Sequence, residues 1–160
     1  MKKRNKENGT KNDDWETPEY IYIAIEKIFG IKKEMLFDPC PIERRFNGLD
    51  INWKKYNYVN PPYNRKGKED FIRKAFEESK RGKLSIMLIP ANTETKIFHD
   101  IILPNAKVFL IKSRVKFKGY NSKGEYVTDK TGQTGSMFVL FGETSFLPTI
   151  NCWVSALTIL

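Results

Sequence analysis

The sequence predicts an α/β fold: a mostly parallel sheet with an antiparallel C-terminal edge and helices on both faces. Three observations carry that reading. Leu84 to Ile89 is a nearly continuous apolar run, the pattern of a strand buried on both sides. Ile21, Ile25, Ile28 and Phe29 recur at helical spacing, as do Phe71, Ile72, Ala75 and Phe76. Strand-like and helix-like stretches alternate in short units, which implies parallel strands joined by right-handed crossovers.

The chain has 160 residues, the size of one domain with a real core. Its hydrophobic share of 40% and eleven Phe suit a packed globular protein. Lys and Arg number 28 against 19 Asp and Glu, a net charge of +9 that points to a polyanionic partner. Two cysteines, Cys40 and Cys152, and one histidine cannot supply the four ligands of a zinc site, so no metal is expected. Both cysteines read as reduced thiols of a cytoplasmic protein. The first residues are charged but lack the apolar run of a signal peptide, and no stretch is long enough to cross a bilayer.

Residues 1–12 are polar, basic and aperiodic, and read as a flexible arm before a single domain over 13–160. Thr17 and Pro18 then open a helix, Thr17 as its cap and Pro18 in its first turn, and Gly30 closes it. That helix start can also face an anionic ligand. Met35-Leu36-Phe37 reads as a short strand ending in Asp38-Pro39-Cys40-Pro41, and the carboxyl end of a buried strand is where open α/β sheets bind ligands. Arg44, Arg45 and the turn Asn47-Gly48 follow, then Leu49 to Trp53. Tyr56 to Val59 reads as a strand that runs into Asn60-Pro61-Pro62-Tyr63. No G-x-G-x-x-G occurs, so the dinucleotide fingerprint is absent.

Asn64 to Lys68 reads as a basic loop before a helix from about Glu69 to Arg81, stopped by Gly82. Pro90-Ala91-Asn92-Thr93 turns into a third helix with Ile97, Phe98, Ile101 and Ile102 inward; His99, near that face, reads as a packing or hydrogen-bonding residue. Lys107 to Ile111 is a further strand. Ser113 to Phe117 and Ser136 to Phe141, joined by the polar stretch Lys118 to Gly135, read as an antiparallel pair at the sheet edge, with a long functional or mobile loop between them. The tail from Cys152 to Leu160 is a last strand or a docked segment.

The chemistry concentrates at Asn60-Pro61-Pro62-Tyr63. The amide offers one acceptor oxygen and two donors, the prolines stiffen the turn, and Tyr63 adds a flat face. Such a group can grip a planar base that carries an exocyclic amine.

The order Asp14-Trp15-Glu16-Thr17-Pro18, Phe37-Asp38-Pro39-Cys40, Gly48-Leu49 with Trp53, and Asn60-Pro61-Pro62-Tyr63 resembles the phage and prophage DNA N6-adenine methyltransferase family. Leu88-Ile89-Pro90-Ala91, Phe98-His99 and Ser113-Arg114-Val115-Lys116-Phe117 agree, so the resemblance covers about 13–141. It implies an abbreviated Rossmann-like methyltransferase sheet, S-adenosylmethionine as cofactor, DNA as partner, no separate target-recognition domain and the cytoplasm of a bacterial host cell as location. Asn60, Pro61, Pro62 and Tyr63 fall on its catalytic motif; Trp15, Thr17, Pro18, Asp38, Pro39, Asp50 and Asn60 are the expected cofactor contacts. Two departures stand out from larger methyltransferases. Their glycine-rich loop is missing, and about twenty residues separate Asp38 from Asn60, too few for two full βα units.

The amine of adenine is a weak nucleophile because its lone pair is conjugated into the ring. The Asn60 oxygen and the Pro61 carbonyl are the natural acceptors for its two hydrogens, acting through position and electrostatics. The base must swing out of the duplex, and Tyr63 either stacks on it or is a core aromatic. Asp38 would fix the polar end of the cofactor and Thr17 its carboxylate. Asp50 either accepts from the cofactor's adenine amine or is a solvated turn carboxylate. Arg65, Lys66 and Lys68, with Arg114, Lys116 and Lys118, are candidates for the DNA backbone. Cytosine N4, RNA or a protein amide as acceptor, and a silent DNA-binding relative, stay open at this stage.

Overall fold

The computed structural model describes residues 15–43, 45–120 and 125–143, and the backbone of 154–157. The expected arm, Asp14, Arg44, Cys152 and Trp153 lie outside the described residues. The described residues form eight strands: β1 (Trp15–Glu16), β2 (Tyr56–Val59), β3 (Leu84–Pro90), β4 (Ala106–Ile111), β5 (Lys116–Tyr120), β6 (Tyr126–Thr131), β7 (Ser136–Phe141) and β8 (Val154–Leu157). Helices are few among the described residues. They are α1 (Glu19–Phe29), α2 (Arg65–Ser79) and a π-helical turn, Phe98–Ile102, that runs into the single turn α3 (Leu103–Asn105).

The strands form two sheets, which corrects the expected mostly parallel Rossmann-like sheet with helices on both faces. The larger sheet is mixed, in the order β2-β3-β7-β4-β8, and the smaller is antiparallel, in the order β1-β5-β6. Parallel pairing joins β2 to β3 and β4 to β8, whereas β7 runs antiparallel to both β3 and β4. The strand expected at the edge therefore stands in the middle. Its composition explains this: Ser136 to Phe141 is buried at every position, a pattern that only an interior strand satisfies. Its supposed partner leaves for the other sheet, where β5 pairs with β1 and β6. The expected loop over 118–135 thus contains most of a hairpin, although residues 121–124 lie outside the described part.

Local chemistry accounts for four smaller corrections. Helix α2 begins at Arg65, not near Glu69, because the Asn64 side chain caps it by accepting from the Gly67 N–H at 2.9 Å. The supposed basic loop is therefore the first turn of α2. Thr17 does not cap α1; Pro18 takes the cap position without a side-chain bond, and Thr17 turns elsewhere. Met35 to Phe37 is no strand: Lys33–Met35 is a 3₁₀ turn, and Phe37 makes a single parallel bridge to Asn57. His99 is exposed, with its ring edge-on to Phe98 at 5.5 Å, and is not on the inward face.

The period-two alternation of β3 divides the core. Ile86 and Leu88 pack with Ile21, Ile25 and Phe29 of α1, whereas Met87 and Ile89 pack with Phe71, Ile72 and Ala75 of α2. At the start of β2 the buried Asn57 side chain bonds Lys54 N–H at 3.0 Å, Lys54 O at 2.8 Å and Leu84 O at 3.0 Å, which locks β2 against β3.

Where β7 ends, Gly142 has φ +115°, and a Cβ there would meet the Lys83 carbonyl oxygen at 2.5 Å. Gly142→Ala is therefore expected to lower unfolding stability by about 1–3 kcal/mol, read from chemical denaturation.

Candidate active site

Strand β2 ends at Val59 and delivers Asn60 to the carboxyl end of the sheet. The Asn60 amide nitrogen donates to the Trp15 carbonyl at 3.2 Å and, more weakly, to Thr17 Oγ1 at 3.4 Å. A carbonyl only accepts, so the amide must present its nitrogen to Trp15 and its oxygen away. That oxygen, Oδ1, is buried and has no hydrogen-bond partner among the described residues. A buried acceptor left open costs about 1–3 kcal/mol, so it marks a place where function outweighs stability.

The rest of the site grows around this amide. Thr17 Oγ1 lies 2.9 Å from the Tyr58 hydroxyl. A cavity of about 380 Å³ opens beside Asn60, Pro62 and Thr17, within the roughly 300–1,000 Å³ of small-molecule sites. Tyr22 and Trp15 supply aromatic faces, Ile42, Pro41 and Cys40 one apolar wall, and Glu16, Glu19, Asp38, Lys33 and Lys118 its charges. Lys33 is ion-paired with Glu19 and stands 4.5 Å over the Tyr22 ring. Burial pushes the Asp38 carboxyl up to about 6, although its Oδ1 accepts from the Cys40 N–H at 2.8 Å. Burial, and then the nearby Asp38 charge, push the Tyr22 phenol up to about 12.

The Asp38 turn is held by a close approach of backbones. A Cβ on Gly48 would fall 1.8 Å from the Pro39 carbonyl oxygen, and the Gly48 carbonyl accepts from Trp53 Nε1 at 2.8 Å. The expected Gly48 to Trp53 stretch thus supports Asp38 and Pro39 from behind.

Of the residues singled out from sequence, Trp15, Thr17, Asp38, Asn60 and Pro62 line the cavity, and so does Lys118, which was expected at the DNA backbone. Pro18, Pro39 and Pro61 are buried behind it. Asp50 is not brought there: it is exposed and accepts from Asn47 Nδ2 at 2.6 Å, as a turn carboxylate does. Tyr63 lies next to the cavity, not in its lining. Its ring meets Phe117 edge-on at 6.0 Å, and its hydroxyl is buried without a partner among the described residues, which raises its pKa. Arg65 and Lys66 are exposed and each pairs one turn on, with Glu69 at 3.0 Å and Asp70 at 2.8 Å. Lys68, in the same helical turn, is 8% exposed, and burial lowers its pKa. Arg114 and Lys116 are exposed on the approach to β5.

Tyr22, Glu19 and Lys33 escaped the sequence reading, and Tyr58 entered it only as a strand residue. A signal existed for Tyr58, which precedes Asn60 by two residues and so shares its side of the strand. Tyr22 lies one turn beyond Pro18 on α1, where a helix face rather than a motif brings it in.

Among the described residues no His, Cys, Asp and Glu cluster could hold a metal, and no helix is long and apolar enough to cross a membrane. The family model described as DNA N-6-adenine-methyltransferase (Dam) matches residues 4–154. No curated protein and no solved structure matches the chain.

The raised Asp38 pKa fixes a sign. The folded state holds this proton more tightly than the unfolded chain, whose carboxyl titrates near 4, so ionisation disfavours folding. The free protein should lose stability as pH rises from about 4 to about 6, and Asp38→Asn should regain about 1–3 kcal/mol above that window. Denaturation midpoints across that range, in both proteins, check the expectation.

Proposed function

The chain belongs to the DNA N-6-adenine-methyltransferase (Dam) family, and from that premise we propose that it moves a methyl group from S-adenosylmethionine to N6 of adenine in DNA. The observation that carries the reading is the buried, unpartnered Asn60 Oδ1 beside the cavity. It is an acceptor already aimed and desolvated, which suits an amine hydrogen better than water.

The residues present fit the cofactor. The cavity has the size of a small-molecule site, two aromatic faces and three carboxylates, Glu16, Glu19 and Asp38, against Lys33 and Lys118. That balance favours a ligand that carries positive charge, within a chain whose net charge is +9. Asp38 would hold the cationic end, Thr17 would donate to a carboxylate, and Tyr22 and Trp15 would flank the flat portion. When bound, S-adenosylmethionine supplies an electrophilic methyl group on a sulfonium.

The chain's own groups do the rest. Asn60 Oδ1 and the Pro61 carbonyl accept the two amine hydrogens of a base swung out of the duplex, which draws the nitrogen lone pair out of conjugation. Neither acceptor need be a strong base, because both act through preorganised position. Tyr63, partly open to solvent next to Asn60, supplies a stacking face worth about 1–3 kcal/mol per base. The start of α2 would offer backbone N–H groups to the phosphates, with Lys68, nearly buried in that turn, adding positive field rather than a direct contact. Arg65 and Lys66 add less there, since each is partly neutralised by its own acid. Arg114 and Lys116 serve the same backbone from β5. A phage or prophage origin and action in the cytoplasm of a bacterial host accord with this activity.

The test is product identification. Purified protein is incubated with methyl-labelled S-adenosylmethionine and unmethylated DNA, RNA or protein extract, and the digested products are separated. Label is expected as N6-methyladenine from DNA. Label in another pool, or in none, overturns the proposal.

A further inference from the structure

Tyr58 is 1% exposed, and the partner of its hydroxyl among the described residues is Thr17 Oγ1 at 2.9 Å. Each hydroxyl has one hydrogen and two lone pairs. If Thr17 donated to Tyr58, the phenolic hydrogen would be left in the core without an acceptor. The arrangement that satisfies both has Tyr58 donating. Thr17 Oγ1 then accepts twice, from Tyr58 and from Asn60 Nδ2. Its own hydrogen then turns to the cavity side, where the Tyr22 hydroxyl is an acceptor within reach.

We propose that Tyr58 is a positioning residue: through Thr17 it holds the Asn60 amide with Oδ1 as the open acceptor, and it directs the Thr17 hydrogen to the cavity side, where Tyr22 stands. The phenol pins the Thr17 rotamer so that a lone pair faces Asn60. Trp15 supplies the second acceptor from the backbone of β1 at 3.2 Å. Turning the amide over would set Oδ1 against that carbonyl, acceptor against acceptor. Two acceptors on one side, one of them fixed by Tyr58, thus give the site a defined polarity: acceptor at Asn60, donor at Thr17. No motif contains Tyr58, and it touches neither base nor cofactor in this account. The geometric part stands by itself; the kinetic consequence rests on the methyltransferase reading above.

Tyr58→Phe removes one oxygen and keeps the ring, including its contact with Tyr22 at 5.0 Å between centroids. The first readout is solvent exchange of the Asn60 side-chain NH₂ in the ¹⁵N-labelled full chain, assigned by its loss in Asn60→Ala. Loss of one ordinary hydrogen bond corresponds to about a tenfold change, so exchange should be about tenfold faster in Tyr58→Phe. Backbone amides of Ile86 and Leu88 should stay protected, which a merely loosened fold would not allow. In the second readout, kcat should fall by about the same factor with KM for DNA unchanged. The double variant Tyr58→Phe/Thr17→Val should be no slower than Thr17→Val alone, because both act on one path. Equal NH₂ exchange in wild type and Tyr58→Phe, an unchanged kcat, or additive losses overturns the proposal. A wild-type protein that transfers no methyl group to DNA instead sinks the functional reading, and the exchange measurement still decides whether the relay exists.

Discussion

The structure depends on how one side-chain amide is held. Two asparagines three residues apart show the contrast. Asn57 places both its polar atoms on backbone partners and locks β2 to β3. Asn60 uses its nitrogen on Trp15 and Thr17 and keeps its oxygen open in a buried place. The first amide stabilises the sheet; the second spends stability at its carboxyl end. Strand β1 makes this possible despite having two residues. It pairs Trp15 with Gly119 and Glu16 with Lys118, and from that edge it turns the Trp15 carbonyl toward Asn60. The small sheet and the large one therefore meet at the turn after β2, where Tyr63 contacts Phe117 of β5.

Charge is separated in the same way. The chain as a whole is strongly basic, yet the cavity is lined by more carboxylates than ammonium groups. Lys33 is occupied by Glu19, and Asp38 is buried enough to hold its proton into the mildly acidic range. The outside thus suits a polyanion and the inside a cation. A single net charge from composition describes only the first of these.

Much of the candidate site was legible because it lies in short runs whose chemistry is local. Asn60-Pro61-Pro62 reads as a stiff turn with an amide in any context, and Asp38 follows an apolar run. The apolar period of α1 and the buried run of β3 were equally plain. What failed depends on distant partners. Ser136 to Phe141 announced its burial on both faces, but only the spatial order of strands puts it between β3 and β4. Strand β6 is exposed along most of its length, so no apolar alternation marks it, whereas the alternation before β5 reads as a strand but does not say which sheet it joins. Asn64 is an ordinary helix cap that was hidden by the lysines after it. Thr17 looked like a cap because it precedes a helix, whereas Tyr58, from a strand far along the chain, claims its hydroxyl. Asp50 takes the second of its two readings, a turn carboxylate that Asn47 keeps outside.

In the proposed reaction the open Asn60 oxygen is the acceptor for the amine that reacts. Single-turnover transfer by Asn60→Ala, with cofactor affinity measured on the same protein, tests it most directly. Removing one preorganised electrostatic group from a reaction centre costs roughly 10²–10³ in rate, so transfer should fall by about that much while cofactor binding is little changed. Full-rate transfer by Asn60→Ala would contradict the account.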